Sequence, residues 1–327
     1  MKNKIGAFLN LIRWQELFFV AFTMFSFHYG IVTPMFDYFS LTPAIGKSEL
    51  ILIILSSLFI FAGGNIINDY FDRKTDFINR PESVIVIFKI KRRQAIFYHL
   101  VFSIIGIILG ITVSLMIRKP ILSLFYILTV VYLWIYSVRL KKDLIINNIS
   151  VAIFISLIAV IIGVNEYFAF EKSITEWNEI NIRPIKLSVQ IIFGYGIFAF
   201  IINLIREVLK DCRDIKGDSL TGINTIPVIW GKKKANFVVF LLSLLFIASV
   251  IIGWELYLSE LIFFKNFIFA DFYIYSMIIF PAAILLSSSL FGEKQKKYLT
   301  LIRLTEFIMF TGLFFSFIIR FALYAKI

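Results

Sequence analysis

Along this chain, apolar runs of about 20 residues alternate with short segments that hold most of the charge. An α-helix of that length spans the hydrocarbon core of a bilayer. The pattern predicts helices near 15–34, 49–67, 95–117, 119–137, 144–167, 186–206, 235–255, 268–291 and 300–323. The expected fold is an all-α membrane protein, with nine transmembrane helices in a single polytopic domain over residues 1–327. The basic lead "MKNKIGAFLN" runs into a span too long for a signal-peptide core and without a small-residue cleavage site. A retained first helix is expected there.

Composition strengthens this picture. Hydrophobic residues make up 60% of the chain, against about 45–50% in a soluble domain, and only 17% of residues are charged. No soluble module is left over. The lone cysteine, Cys212, cannot form an intrachain disulfide, and no Cys/His spacing suits zinc or an iron–sulfur cluster. Inside the bundle, His28 is expected as a hydrogen-bonded polar residue, and Glu306 as the i, i+3 partner of Arg303.

Charge then orients the bundle. With the N-terminus cytoplasmic, 24 of the 33 Lys and Arg residues fall on the cytoplasmic side and 9 on the other. That asymmetry follows the positive-inside rule, so the expected topology is a multi-pass inner-membrane protein with its C-terminus on the opposite side. The net charge of +12 is accounted for by this topology. Membrane lipids and anionic substrates are the expected partners, and no nucleic acid is needed.

Two segments carry the chemistry, and both are read as loops on the cytoplasmic side. The first, the loop 65–82, lies in "GGNIINDYFDRKTDFINRP" (63–81) and packs Asn65, Asn68, Asp69, Asp72 and Asp76 into twelve residues. Asn68, Asp72 and Asp76 are spaced i, i+4, i+8, so a continuing helix would project them from one face. The second, within 206–231, places Glu207, Asp211, Asp214 and Asp218 at steps of 4, 3 and 4, again one face. Like charges at such spacing repel by a few tenths of a kcal/mol per pair, which makes sense if a cation sits between them. Hard oxygen ligands suit Mg²⁺, which keeps few protein ligands and is usually shared with substrate phosphates. Interspersed bases (Arg73, Lys74, Arg80, Arg206, Lys210 and Arg213) call for an anion as well, and a diphosphate satisfies both signs.

At these residues the chain resembles the UbiA superfamily of intramembrane prenyltransferases. Asn68, Asp72 and Asp76 match its first motif, including the neighbours "NDYFD". Asp214, Asp218 and Gly222 match the second, with Asp211 fitting the variant that has an extra acid. "YSVRLKK", from Tyr136 to Lys142, is similar to the family's loop after the fourth helix. After Asn79-Arg80-Pro81 the chain departs from the family pattern, reading "ESVIVIFKIKRR" where many members have a second Arg-Pro and a turn.

The resemblance implies a UbiA-like nine-helix bundle with a cytoplasmic-side site. It implies Mg²⁺-dependent transfer of a prenyl group from a prenyl diphosphate to a lipophilic acceptor. The implied metal ligands are Asn68, Asp72, Asp76, Asp211, Asp214 and Asp218, with Asp72, Asp76, Asp214 and Asp218 as the catalytic acids. Asp69 is either a supporting acid or solvent-facing. Arg80, Tyr136, Arg139, Lys141 and Lys210 are the implied substrate contacts. "GGNIINDYFD" with "REVLKD" resembles the branch whose acceptor is geranylgeranylglycerol phosphate, with an aromatic acceptor for quinone, haem or chlorophyll as the alternative. From a different class, a transporter or Mg²⁺ channel would carry its acids near the bilayer midplane, whereas these lie at helix ends.

Overall fold

The structure is a computed structural model that describes residues 2–86, 88–173, 179–265, 267–290 and 295–326. A short helix α1 (Lys2–Leu11) precedes nine longer helical segments. These are α2 (Trp14–Tyr38), α3 (Lys47–Asn79), α4 (Arg92–Met116), α5 (Leu122–Val138) and α6 (Ile146–Ser173). After them come α7 (Glu179–Thr221), α8 (Ile226–Leu258), α9 (Ile268–Ser289) and α10 (Gln295–Tyr324). Eight of these are long and apolar enough to cross a membrane. The ninth expected span, 119–137, forms the shorter α5 of 17 residues. Among the described residues there is no β-strand, only an isolated bridge between Val86 and Ile90.

Helix length is what moves the acidic segments out of loops. α3 has 33 residues and α7 has 43, so they run about 50 and 65 Å, well beyond a hydrocarbon core of about 30 Å. Their apolar stretches fill the bundle and their polar ends continue as helix past it. The sequence "INDYFDRKTDFIN" holds no Gly or Pro that would stop α3 before Asn79, and Pro81 then ends it.

Close packing of α3, α4 and α5 relies on missing side chains. A Cβ on Gly106 would stand 2.6 Å from Ile60 and 3.1 Å from the Ser56 carbonyl oxygen, so α3 and α4 touch backbone to backbone. The Ser56 hydroxyl donates to the Gly106 carbonyl at 2.7 Å across the same contact.

The main core joins α2 through α10, with Phe27, Ile53, Ile162, Ile205 and Tyr298 fully enclosed. A smaller cluster lies at the end where α3 and α7 project. There Ala7 and Leu11 of α1 pack with Ile66, Ile85, Val86, Ile90 and Ala95. Ile85, Val86 and Ile90, in the segment that departs from the family pattern, are therefore buried beside α1. At the opposite end, the buried Glu166 carboxylate accepts backbone N–H bonds from Ala44, at 2.5 Å, and Ile45, tying the loop after α2 to α6.

Candidate active site

The projecting ends of α3 and α7 lie against each other and bring both acidic faces together. The Thr75 and Thr221 hydroxyls are 3.0 Å apart, and Asn79 Oδ1 accepts the Gly217 N–H at 2.7 Å. A Cβ on Gly217 would fall directly on the Asn79 amide and displace it, so the glycine keeps this contact. Arg80, at the end of α3, stands between the two motifs: Nη2 lies 3.4 Å from Asp76 Oδ1 and 3.5 Å from Asp214 Oδ2.

Most of the carboxylates have a polar partner of their own. Arg213 makes a two-pronged contact with Asp214, at 2.8 and 2.7 Å. Lys141 follows α5 on a short turn, Leu140–Lys142, and is buried, unusual for a lysine; its ammonium bonds Asp72 and sits 5.8 Å over the Phe71 ring. Lys210 donates to both Glu207 oxygens at 2.9 and 3.0 Å. Asp211 is buried and ends a relay that begins at Tyr136. The Tyr136 hydroxyl donates to Asn147 at 2.8 Å, Asn147 to Asn148 at 3.1 Å, and Asn148 to Asp211 at 2.9 Å. Asp218 is buried one turn beyond Asp214.

Asp69 is neither solvent-facing nor part of the acid row. It accepts a 2.9 Å bond from Arg13, in the bend between α1 and α2, where Arg13 takes a left-handed φ of 53°. Burial alone would lower the Arg13 pKa, but the Asp69 and Glu16 carboxylates outweigh it, so the guanidinium is held charged. Asn65 donates to the Ile12 carbonyl at 3.2 Å, so α1 and its bend are tied to α3 twice.

Two expectations are corrected. Glu306 pairs with Arg206 of α7 at 3.2 Å instead of Arg303, because α10 turns that face toward α7. His28 is buried, but its Nδ1 has no hydrogen-bond partner among the described residues, and the ring meets Tyr29 edge-on at 4.9 Å. Arg139, an expected substrate contact, caps α5 and is exposed. The sequence reading also missed Asn147 and Asn148, although two adjacent amides opening an apolar span right after "YSVRLKK" are a usable signal.

The residues fit a hard divalent cation in chemistry. Among the described residues, no three His, Cys, Asp or Glu side chains already converge as a ready metal cage, because the bases intervene. All donors are oxygens, however, and Asn68 Oδ1 is a buried acceptor with no hydrogen-bond partner. Such a set could hold Mg²⁺, which takes few protein ligands and keeps places for phosphate oxygens.

Beside this site a cavity of about 590 Å³ runs between α2, α6, α7, α8, α9 and α10. Its mouth carries Gln15, Glu16, Arg206 and Glu306, with Arg206 five residues before Asp211 on α7. Below the mouth the walls are aromatic and aliphatic, including Phe19, Phe27, Phe198 and Phe246. At the far end the Tyr257 hydroxyl donates to Gln190 at 2.6 Å, next to the buried Trp254.

Comparison with known proteins agrees with this architecture. Residues 20–302 match the model of the UbiA prenyltransferase family. The chain is 32% identical over 256 residues to the digeranylgeranylglyceryl phosphate synthase of Methanosphaera stadtmanae, spanning 77% of this chain and 81% of that one. The same enzyme of Pyrococcus horikoshii is 31% identical over 221 residues, 67% of this chain and 69% of its own. Among solved structures, a digeranylgeranylglyceryl phosphate synthase superposes with a TM-score of 0.59 at 19% identity, covering 97% and 99% of the two chains. A UbiA homolog from Archaeoglobus fulgidus bound to GPP and Mg²⁺ gives 0.55 at 17% identity, covering 95% and 99%. These two structures share the fold. With the two acidic helix ends and the nine-segment bundle already in view, the chain belongs to the UbiA family and is a multi-pass membrane prenyltransferase.

Proposed function

We propose that this chain transfers a prenyl group from an allylic prenyl diphosphate to a lipophilic acceptor, geranylgeranylglyceryl phosphate, in a Mg²⁺-dependent reaction. The observation that carries the reading is the meeting of two oxygen-rich helix faces across Arg80, beside a long apolar cavity. The names of the relatives support the acceptor, and the ligands of the Archaeoglobus fulgidus homolog support the donor and the metal.

In this reading Asn68, Asp72, Asp76, Asp211, Asp214 and Asp218 hold Mg²⁺, directly or through water. Bound there, the metal supplies positive charge that stabilises the diphosphate as a leaving group. Lys141, Arg80, Arg213 and Lys210 stand among the carboxylates as counter-ions, and a diphosphate with its metal gives both sets new partners of the right sign. These bases then orient the diphosphate oxygens. The bond from C1 of the prenyl group to oxygen breaks with its electron pair staying on the diphosphate. The acceptor hydroxyl oxygen bonds C1 and its proton passes to the released diphosphate. Tyr136, Asn147 and Asn148 fix the Asp211 carboxylate in place, and the apolar cavity keeps the isoprenoid chain away from water.

The placement of Lys and Arg supports an inner-membrane orientation with the N-terminus and the site cytoplasmic and the C-terminus on the other side. Membranes carrying the protein, given radiolabelled geranylgeranyl diphosphate, Mg²⁺ and geranylgeranylglyceryl phosphate, are expected to yield a doubly prenylated lipid. No label in any lipid or aromatic acceptor would sink the proposal.

A further inference from the structure

The cavity has a measurable depth, because one continuous helix lines it from mouth to floor. On α7 its wall runs from Arg206 to Gln190, sixteen residues or about 24 Å. α10 follows beside it, joined at the mouth by the Arg206–Glu306 pair. Two glycines open onto this space at different depths. Gly312 lies six residues past Glu306, about 9 Å down, and Gly194 twelve residues from Arg206, about 18 Å down. A Cβ built on either meets nothing within 4 Å, so both positions face open cavity.

The floor, by contrast, is rigid. Trp254 is buried, its indole N–H donates to Asp271 at 2.9 Å, and Phe264 and Phe315 pack against its ring at 5.2 and 5.8 Å. Tyr257, on the next turn, is held by Gln190.

We propose that Gly312 and Gly194 are graded length-determining positions for the isoprenoid chain, with Trp254 as the stop. The inference rests on the prenyl-transfer reading and adds which residues set the chain accepted. A side chain at Gly312 blocks the cavity nearer its mouth than one at Gly194, so it excludes shorter chains. Removing the Trp254 ring deepens the cavity and admits longer ones. The chain in question belongs either to the diphosphate donor or to the lipid acceptor.

The test uses the full-length protein in lipid nanodiscs with Mg²⁺. In one arm equimolar geranyl, farnesyl and geranylgeranyl diphosphates compete for a fixed acceptor. In the other, glycerol phosphate acceptors of graded isoprenoid length compete for a fixed donor. Products are read by mass spectrometry. Gly194→Leu is expected to lower the ratio of longest to shortest chain at least about tenfold, the usual worth of a filled apolar subsite. Gly312→Leu is expected to lower the intermediate chain as well, and Trp254→Ala to move preference the opposite way. A shift in the donor arm assigns the cavity to the donor, and a shift in the acceptor arm to the acceptor. Transfer by the wild type with the same length profile in all three variants, or equal loss at every length, overturns this inference alone. No transfer by the wild type with any pair overturns the functional reading and this inference with it.

Discussion

Asn79 Oδ1 accepts the backbone N–H of Gly217 at 2.7 Å, locking the last turn of α3 to α7 between Asp214 and Asp218. With the Thr75–Thr221 contact, this bond outside either row holds the two acidic rows in one frame. Gly217→Ala pushes the Asn79 amide aside. Since a displacement of about 1 Å can cost about 100-fold in rate, turnover is expected to fall between about 10- and 100-fold with the protein still folded. Asn79→Ala should act alike. The double variant should be no worse than either single one, measured by kcat on detergent-purified protein.

The acids themselves should show a different pattern. Asp72→Ala and Asp214→Ala are each expected to lower turnover by at least about 100-fold, the scale seen when a charge-stabilising group is lost. The Mg²⁺ concentration giving half-maximal rate should rise in both. Near-normal activity and metal dependence in the two variants would remove them from the metal site.

Metal exchange probes the donor set directly. EDTA is expected to abolish transfer and added Mg²⁺ to restore it. Ca²⁺, which prefers six to eight oxygens at longer distance, should restore it poorly. Equal rates with either ion would contradict a site built around few protein ligands and phosphate oxygens.

Arg13 and Asp69 belong to stability instead. Arg13→Met leaves the largely buried Asp69 carboxylate without its partner, so a loss of about 1–3 kcal/mol is expected. Thermal unfolding in detergent should show the drop, and Arg13→Met with Asp69→Asn should recover most of it. A larger loss in the double variant would mean that the pair does more than neutralise itself.

The bundle and the acid rows were legible in the sequence, for physical reasons that also mark where legibility ended. Apolar runs and i, i+4 spacing are local signals, and they located α2 to α10 and the two acid faces. Local rules stop at tertiary pairing: Glu306 chose Arg206, 100 positions away, over the neighbouring Arg303. Likewise the segments 65–82 and 206–231 read as loops because charge density is high there, although their helical backbone continues once α3 and α7 pack side by side. Asn147 and Asn148 gain meaning only when α6 carries them to Asp211.

Gln190 and Asp218 lie on the same helix, 28 residues and about 42 Å apart. Inserting or deleting a single residue between them would swing the acid row by about 100° relative to the cavity wall. Genes for such a protein can therefore change its product by exchanging codons along α7, but an insertion or deletion there puts recognition and reaction out of phase together.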